Sequence, residues 1–192
     1  MIALTRREAR VTVARILRQA AWPTGHEPAV TAAVLAAEGL GLPALASLDH
    51  DWPAIAGSDP QRLQAADGAV DCGGMHALVA LPFIVDLLVE RLARDDRASV
   101  RVIGAARPDL LAAIQAFGPR HGAAFGVDGT AVSAVRADAP ARALHGDFAV
   151  DAALWQRLCT RAEAYLVPES EISRRHAGSS LSADGSDAGD AG

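Results

Sequence analysis

Apolar residues recur at helical spacing through the first third of the chain. Ala9, Val13, Ile16, Leu17 and Ala20 follow Thr5-Arg6-Arg7-Glu8, a capping box in which the threonine and glutamate each satisfy a backbone donor of the first turn. The spacing predicts a helix to about Ala21, broken by Trp22-Pro23. Thr24-Gly25-His26-Glu27 reads as a second capping box before Val30, Ala33, Val34 and Ala37, with Gly39 placed to stop that helix. The two form a helical hairpin. A short third helix ends at Asp49 to Pro53, and Gly57-Ser58-Asp59-Pro60 opens a weaker one.

From Ala69 the period changes. AVDC reads as a short strand, Gly73-Gly74 as a tight turn, and Ala77 to Arg94 as a long apolar helix that Pro82 should bend or restart. Ser99 to Gly104 alternates as a strand, so strand, helix and strand suggest a right-handed parallel crossover. Pro108 to Phe117 reads as a helix. Asp128-Gly129, between FGV and TAVSAV, is a hairpin signal in which both central residues tolerate positive φ. Leu144 to Val150 adds a strand, and Asp151 caps a last helix whose Leu154, Trp155, Leu158 and Ala162 face inward. Helices first and a mixed sheet with packed helices afterwards make an α+β fold. One domain is expected over residues 1–176. Residues 177–192, rich in Gly, Ser and Asp, have little to bury and are expected to be a disordered tail.

Composition narrows the chemistry. Of 192 residues 51% are hydrophobic but only 4% aromatic, so the core must be built from Ala, Val, Leu and Ile. All 18 basic residues are arginine, and the chain has neither lysine nor asparagine. That excludes a Walker phosphate loop, a Schiff-base lysine and an asparagine oxyanion donor. A net charge of −5 argues against a nucleic-acid partner, which needs a concentrated basic face. Arg6, Arg7, Arg10, Arg15 and Arg18 come nearest, and with Glu8 and the capping pattern they read as a solvated helix face. No signal peptide or membrane-spanning segment is apparent, and no membrane partner is expected. Cys72 and Cys159 lack metal spacing, which suggests free thiols in a reducing, cytoplasmic setting.

No catalytic residue is assigned. The candidates are Cys72, in DCGGMH where a helix N-terminus would lower a thiol pKa, and His76 as its base. The alternative is a buried thiol beside a solvent-facing histidine. His50 and Asp51, in Asp49-His50-Asp51, and His145 and Asp147 offer metal ligands, two from each segment; the alternative is a polar helix end beside Trp52-Pro53. Gly73-Gly74 and Gly104 lack dinucleotide-loop spacing, and GxSxG is absent.

Ser170, Ser173 and Arg174 group hydroxyl and guanidinium donors suited to a carboxylate or phosphate; alternatively Arg174 pairs with Glu169 or Glu171. Val150 to Asp187, with Trp155, Val167, Pro168, Ser170, Ser173 and Arg174, resembles the C-terminal signature of the bacterial family known as domain of unknown function 3726. It departs from that pattern at Ala177-Gly178-Ser179-Ser180 and at Asp184-Gly185-Ser186-Asp187. The resemblance implies an ordered Val167 to Arg174 and carries no activity with it. The stretch from Gly25 to Leu45 also looks like the opening of non-Rossmann malate and lactate dehydrogenases, but Leu42-Pro43-Ala44 stands where those have Ser-His-Gly. The expectation is a non-catalytic protein that binds a small anion or accompanies a partner enzyme. The alternative is a hydrolase or lyase using Cys72 or a His/Asp site.

Overall fold

Strand β1, Ile2–Thr5, which the helical pattern conceals, opens the fold. The computed structural model describes residues 1–137 and 147–165. β1 pairs antiparallel with β7, Asp147–Val150, in the register Ile2 to Val150 and Thr5 to Asp147, forming a small sheet of its own. Residues 144–146 of the strand expected over Leu144 to Val150 lie outside the described residues. The capping box at Thr5 and Glu8 is formed, and α1 spans Arg6–Leu17. It ends before Ala21 because Gln19 and Ala20 close the last turn with bonds to Ile16 and Leu17 carbonyls, three residues back.

Helix α2, His26–Gly39, begins without the expected second capping box. Its N-cap is Gly25 at φ 98°, and the Glu27 carboxylate is taken instead by Arg18 and by the Thr31 hydroxyl, each at 3.1 Å. The helical hairpin stands. Val30, Ala33, Val34, Leu35 and Ala37 are buried, so α2 runs through the core with both flanks covered. Short helices α3, Ala44–His50, and α4, Trp52–Ala56, follow, with Asp51 closing one and opening the other. The weaker helix expected after Gly57 is a single 3-10 turn, Pro60–Arg62.

The main sheet has the order β2-β3-β4-β6-β5. β2, Gln64–Ala66, and β3, Ala69–Asp71, form a hairpin the sequence reading missed, around Asp67 and Gly68 at φ 47° and 77°. Positive φ at both central residues is the type I′ signature that Asp-Gly favours. The second hairpin joins β5, Ala123–Asp128, and β6, Ala131–Arg136. Its central pair is Gly129-Thr130 and not Asp128-Gly129; Asp128 pairs with Ala131, and only Gly129 has positive φ.

β4, Arg97–Ile103, lies parallel to β3, with α5, Ala77–Leu92, crossing between them. α5 continues through Pro82 without restarting. Leu78, Leu81, Ile84 and Leu88 are fully buried, and each contributes roughly 1.5–3 kcal/mol of apolar transfer. Pro108–Phe117 is helical with the expected bounds, in the 3-10 form, and is followed by α6, Gly118–His121. α7, Ala152–Glu163, is capped by Asp151 as expected. Leu158 and Ala162 are buried there, while Leu154 and Trp155 pack partly against the core. The described residues form a single α+β domain, and the tail expected over residues 177–192 lies outside them. No described helix is long and apolar enough to cross a membrane.

Candidate functional site

The most polar region of the interior lies past the carboxyl ends of β3 and β4. In open sheets with parallel strands, this is where loops diverge and ligands sit. Here the two loops are laced together instead of parting at once. Cys72 N–H donates to the Ile103 carbonyl at 2.8 Å, Gly74 N–H to Gly104 at 2.7 Å, and Ala106 N–H to Met75 at 2.9 Å. Such close approach explains Gly104. It sits at φ 65°, and a Cβ there would stand 3.3 Å from Asp71 Oδ1 and 3.6 Å from the Gly73 and Gly74 nitrogens.

His76 ends the first loop and caps α5. Its Nδ1 accepts from Leu78 N–H at 3.3 Å, so the proton of the neutral ring sits on Nε2. Nε2 faces Asp51 Oδ2 at 3.5 Å, long for a hydrogen bond, and is otherwise unpartnered. The ring is completely buried, and that burial holds its pKa below the usual histidine value despite the opposing pull of Asp51. Its backbone N–H donates to Ser58 Oγ at 3.2 Å. Ser58 Oγ in turn donates to the Ala54 carbonyl at 2.8 Å, and the Ser58 carbonyl receives the Trp22 indole N–H at 2.9 Å.

Arg107 closes the second loop. It is left-handed, φ 58° and ψ 55°, although it carries a side chain and precedes Pro108. Both features disfavour that conformation, so the surroundings must hold it there. The guanidinium supplies the hold. Nη1 donates to Ser47 Oγ at 2.6 Å and Asp51 Oδ2 at 3.0 Å, while Nε and Nη2 grip both oxygens of Asp109 at 3.1 and 2.8 Å. The Asp109 carboxyl is held below its ordinary value, chiefly by the Arg107 hydrogen bonds. Asp51 is the hub: one carboxylate oxygen serves both Arg107 and His76. The cluster ties α3 and α4 to both loops.

Beside this cluster lies a crevice of about 240 Å³. Gly57, Ser58, Cys72, Gly73 and Gly74 line it, together with Asp59 and Arg62. Arg62 meets Asp59 at 3.7 Å, with the arginine side chain 78% exposed. That pair is long and solvated, so an incoming anion displaces Asp59 at little cost.

The sequence candidates are distributed unevenly over this architecture. Cys72 is buried, and burial with Asp71 nearby pushes its thiol up to about 11. The helix N-terminus therefore does not activate it, and neither nitrogen of His76 hydrogen-bonds to it. His76 is a buried cap and not the solvent-facing residue weighed as the alternative. The Asp49-His50-Asp51 triplet splits by helical geometry. Asp49 pairs with Arg157 of α7 at 2.8 Å and lies 3.8 Å from Arg161, which stacks over Trp52; Asp51 joins the cluster; His50 is exposed. Asp147 starts β7 opposite Thr5 and is exposed. Among the described residues, no three His, Cys, Asp or Glu side chains converge on a metal position. His145, Ser170, Ser173 and Arg174 lie outside the described residues. Sequence reasoning missed Ser47, Arg107 and Asp109, because contacts across about sixty positions leave no local pattern. The one local signal is the basic and acidic pair flanking Pro108. No family model matches the chain, and neither does any curated protein compared with it.

Proposed function

We propose that this protein acts by binding, holding a small anion in the crevice past β3 and β4, on its own or as an accessory to a partner enzyme in the cytoplasm. The observation that carries the reading is the division of labour at that end of the sheet. Arg107 is taken up by Asp51 and Asp109 around a neutral His76, whereas Arg62, which lines the crevice with Gly73 and Gly74, has only a long, exposed ion pair. A carboxylate or phosphate seated there meets a guanidinium suited to forked contact and the side-chain-free backbone of Gly73 and Gly74. Ser170, Ser173 and Arg174 form the second candidate anion contact. The unpaired thiols of Cys72 and Cys159 fit a reducing compartment.

Thermal-shift screening against inorganic phosphate and small di- and tricarboxylates tests this. A ligand at a hundred times its Kd stabilises by about 2.7 kcal/mol, a rise of roughly 5–10 °C for a chain of this size. The rise is expected to disappear in Arg62→Ala. An Arg62→Ala protein that keeps the full response removes the crevice from the account, and loss in Arg174→Ala alone transfers the site to the terminal segment. Rapid alkylation of native Cys72 favours the competing hydrolase or lyase reading.

A further inference from the structure

Among the described residues, the main sheet carries helices on one face only. Val70, Val100, Val102, Val132 and Ala134 point into the core, and the alternate residues are exposed. Register fixes what that outer face looks like. Arg101 lies beside Ala131 and Ala69, Ser99 beside Ser133 and then Gly126, Arg97 beside Val135 and then Ala124. Most of the side chains on this field are small. Ile103, 46% exposed, and Val135, 37% exposed, are its large apolar members.

Two guanidiniums rise from this field. Arg97 and Arg101 are four residues apart on β4, about 13 Å along the strand. Neither has an ion-pair or hydrogen-bond partner among the described residues, in contrast to Arg62, Arg94, Arg107 and Arg136. Of the acidic groups on the same face, Asp128 stands two strands from Arg101, and Asp71 accepts a hydrogen bond from Gly73 N–H. Between the arginines the Ser99, Ser133 and Gly126 row makes a shallow trough with two hydroxyls.

We infer that this open face is a docking surface for an extended acidic segment of a partner protein, carrying carboxylates at positions i and i+4 with a compact residue midway. An extended peptide repeats its side chains on one side every two residues, so i and i+4 match the spacing of the two arginines. The residue at i+2 then falls over the serine trough, where only small groups oppose it. Charge complementarity selects this occupant. A chain of net charge −5 repels a long polyanion such as nucleic acid, but two unpaired cations accept a segment with two carboxylates.

The test is fluorescence anisotropy of the full chain with a labelled Ser-Glu-Ser-Val-Ser-Glu-Ser peptide. Binding is expected at about 50 mM salt and should weaken several-fold or more at about 500 mM, where the Debye length is only a few ångströms. Arg97→Glu with Arg101→Glu should weaken it at least tenfold while leaving the melting temperature near that of the parent, since both side chains are exposed. Arg7→Glu with Arg10→Glu on α1 should leave binding unchanged. No binding at low salt, equal binding by the β4 double variant, or loss in the α1 variant overturns the inference. Asp184→Asn, Asp187→Asn and Asp190→Asn combined in the full chain should not alter affinity. Tighter peptide binding by that variant assigns the face to the chain's own acidic end and overturns the partner.

Discussion

Replacing Arg107 separates what its guanidinium contributes from what its backbone costs. Arg107→Ala removes the donor to Ser47, whose buried hydroxyl then loses its partner, a penalty of about 1–3 kcal/mol. Asp51 loses its cation but is partly exposed and rehydrates, and the Asp109 pair is solvated, so together they add about 1 kcal/mol or less. The sum is about 1–4 kcal/mol, or a melting temperature lower by roughly 2–16 °C. Arg107→Gly loses the same contacts but is relieved of left-handed strain worth about 1–2 kcal/mol, offset in part by a more disordered unfolded chain. The glycine variant should therefore be more stable than the alanine variant by about 1 kcal/mol. Urea unfolding of the three proteins, with unchanged m-values, measures both differences. Equal stability of the two variants refutes the strain argument. Parental stability in both refutes the network.

Gly104→Ala should cost about 1–3 kcal/mol by the same unfolding assay, because the substitution is left-handed and its methyl meets Asp71. The folded-state pKa of His76 is lowered, so the unfolded chain binds the extra proton; stability is full above about pH 6.5 and is lost as the pH falls below it. His76→Asn keeps a neutral cap, and the difference in stability between parent and variant should shrink from pH 7 to pH 5; a constant difference contradicts a buried neutral ring. Cys72, with its thiol pushed up to about 11, holds about one part in ten thousand as thiolate at neutral pH, and a disulfide reagent should reach it only after denaturant is added.

Those tests probe a site that the sequence displayed only in part. Local signals worked where the chain solves its problems locally: the Thr5 capping box, the Asp151 cap and the apolar stripe of α5 all stand in the structure. They failed where a distant partner outbids a neighbour. Glu27 sits correctly for a capping box, yet its carboxylate is taken by Arg18 of the preceding helix. Asp-Gly occurs twice among the described residues, and the pair without flanking apolar alternation, Asp67-Gly68, adopts the double positive φ expected of the other. β1 was hidden because Ile2 to Thr5 is too short to show a period, and only β7 defines it. His76 and Asp51 were both legible as chemistry-bearing residues. Their union was not, because it depends on Arg107 and Ser47 meeting across sixty positions.

The reading rests on an anion entering the crevice beside Gly73 and Gly74. A phosphate titration followed by amide NMR tests that directly. Saturable shifts concentrated on Gly73, Gly74, Ser58 and Arg62, absent from Arg62→Ala, are what the arrangement predicts. Shifts confined to other parts of the chain, or none, contradict it.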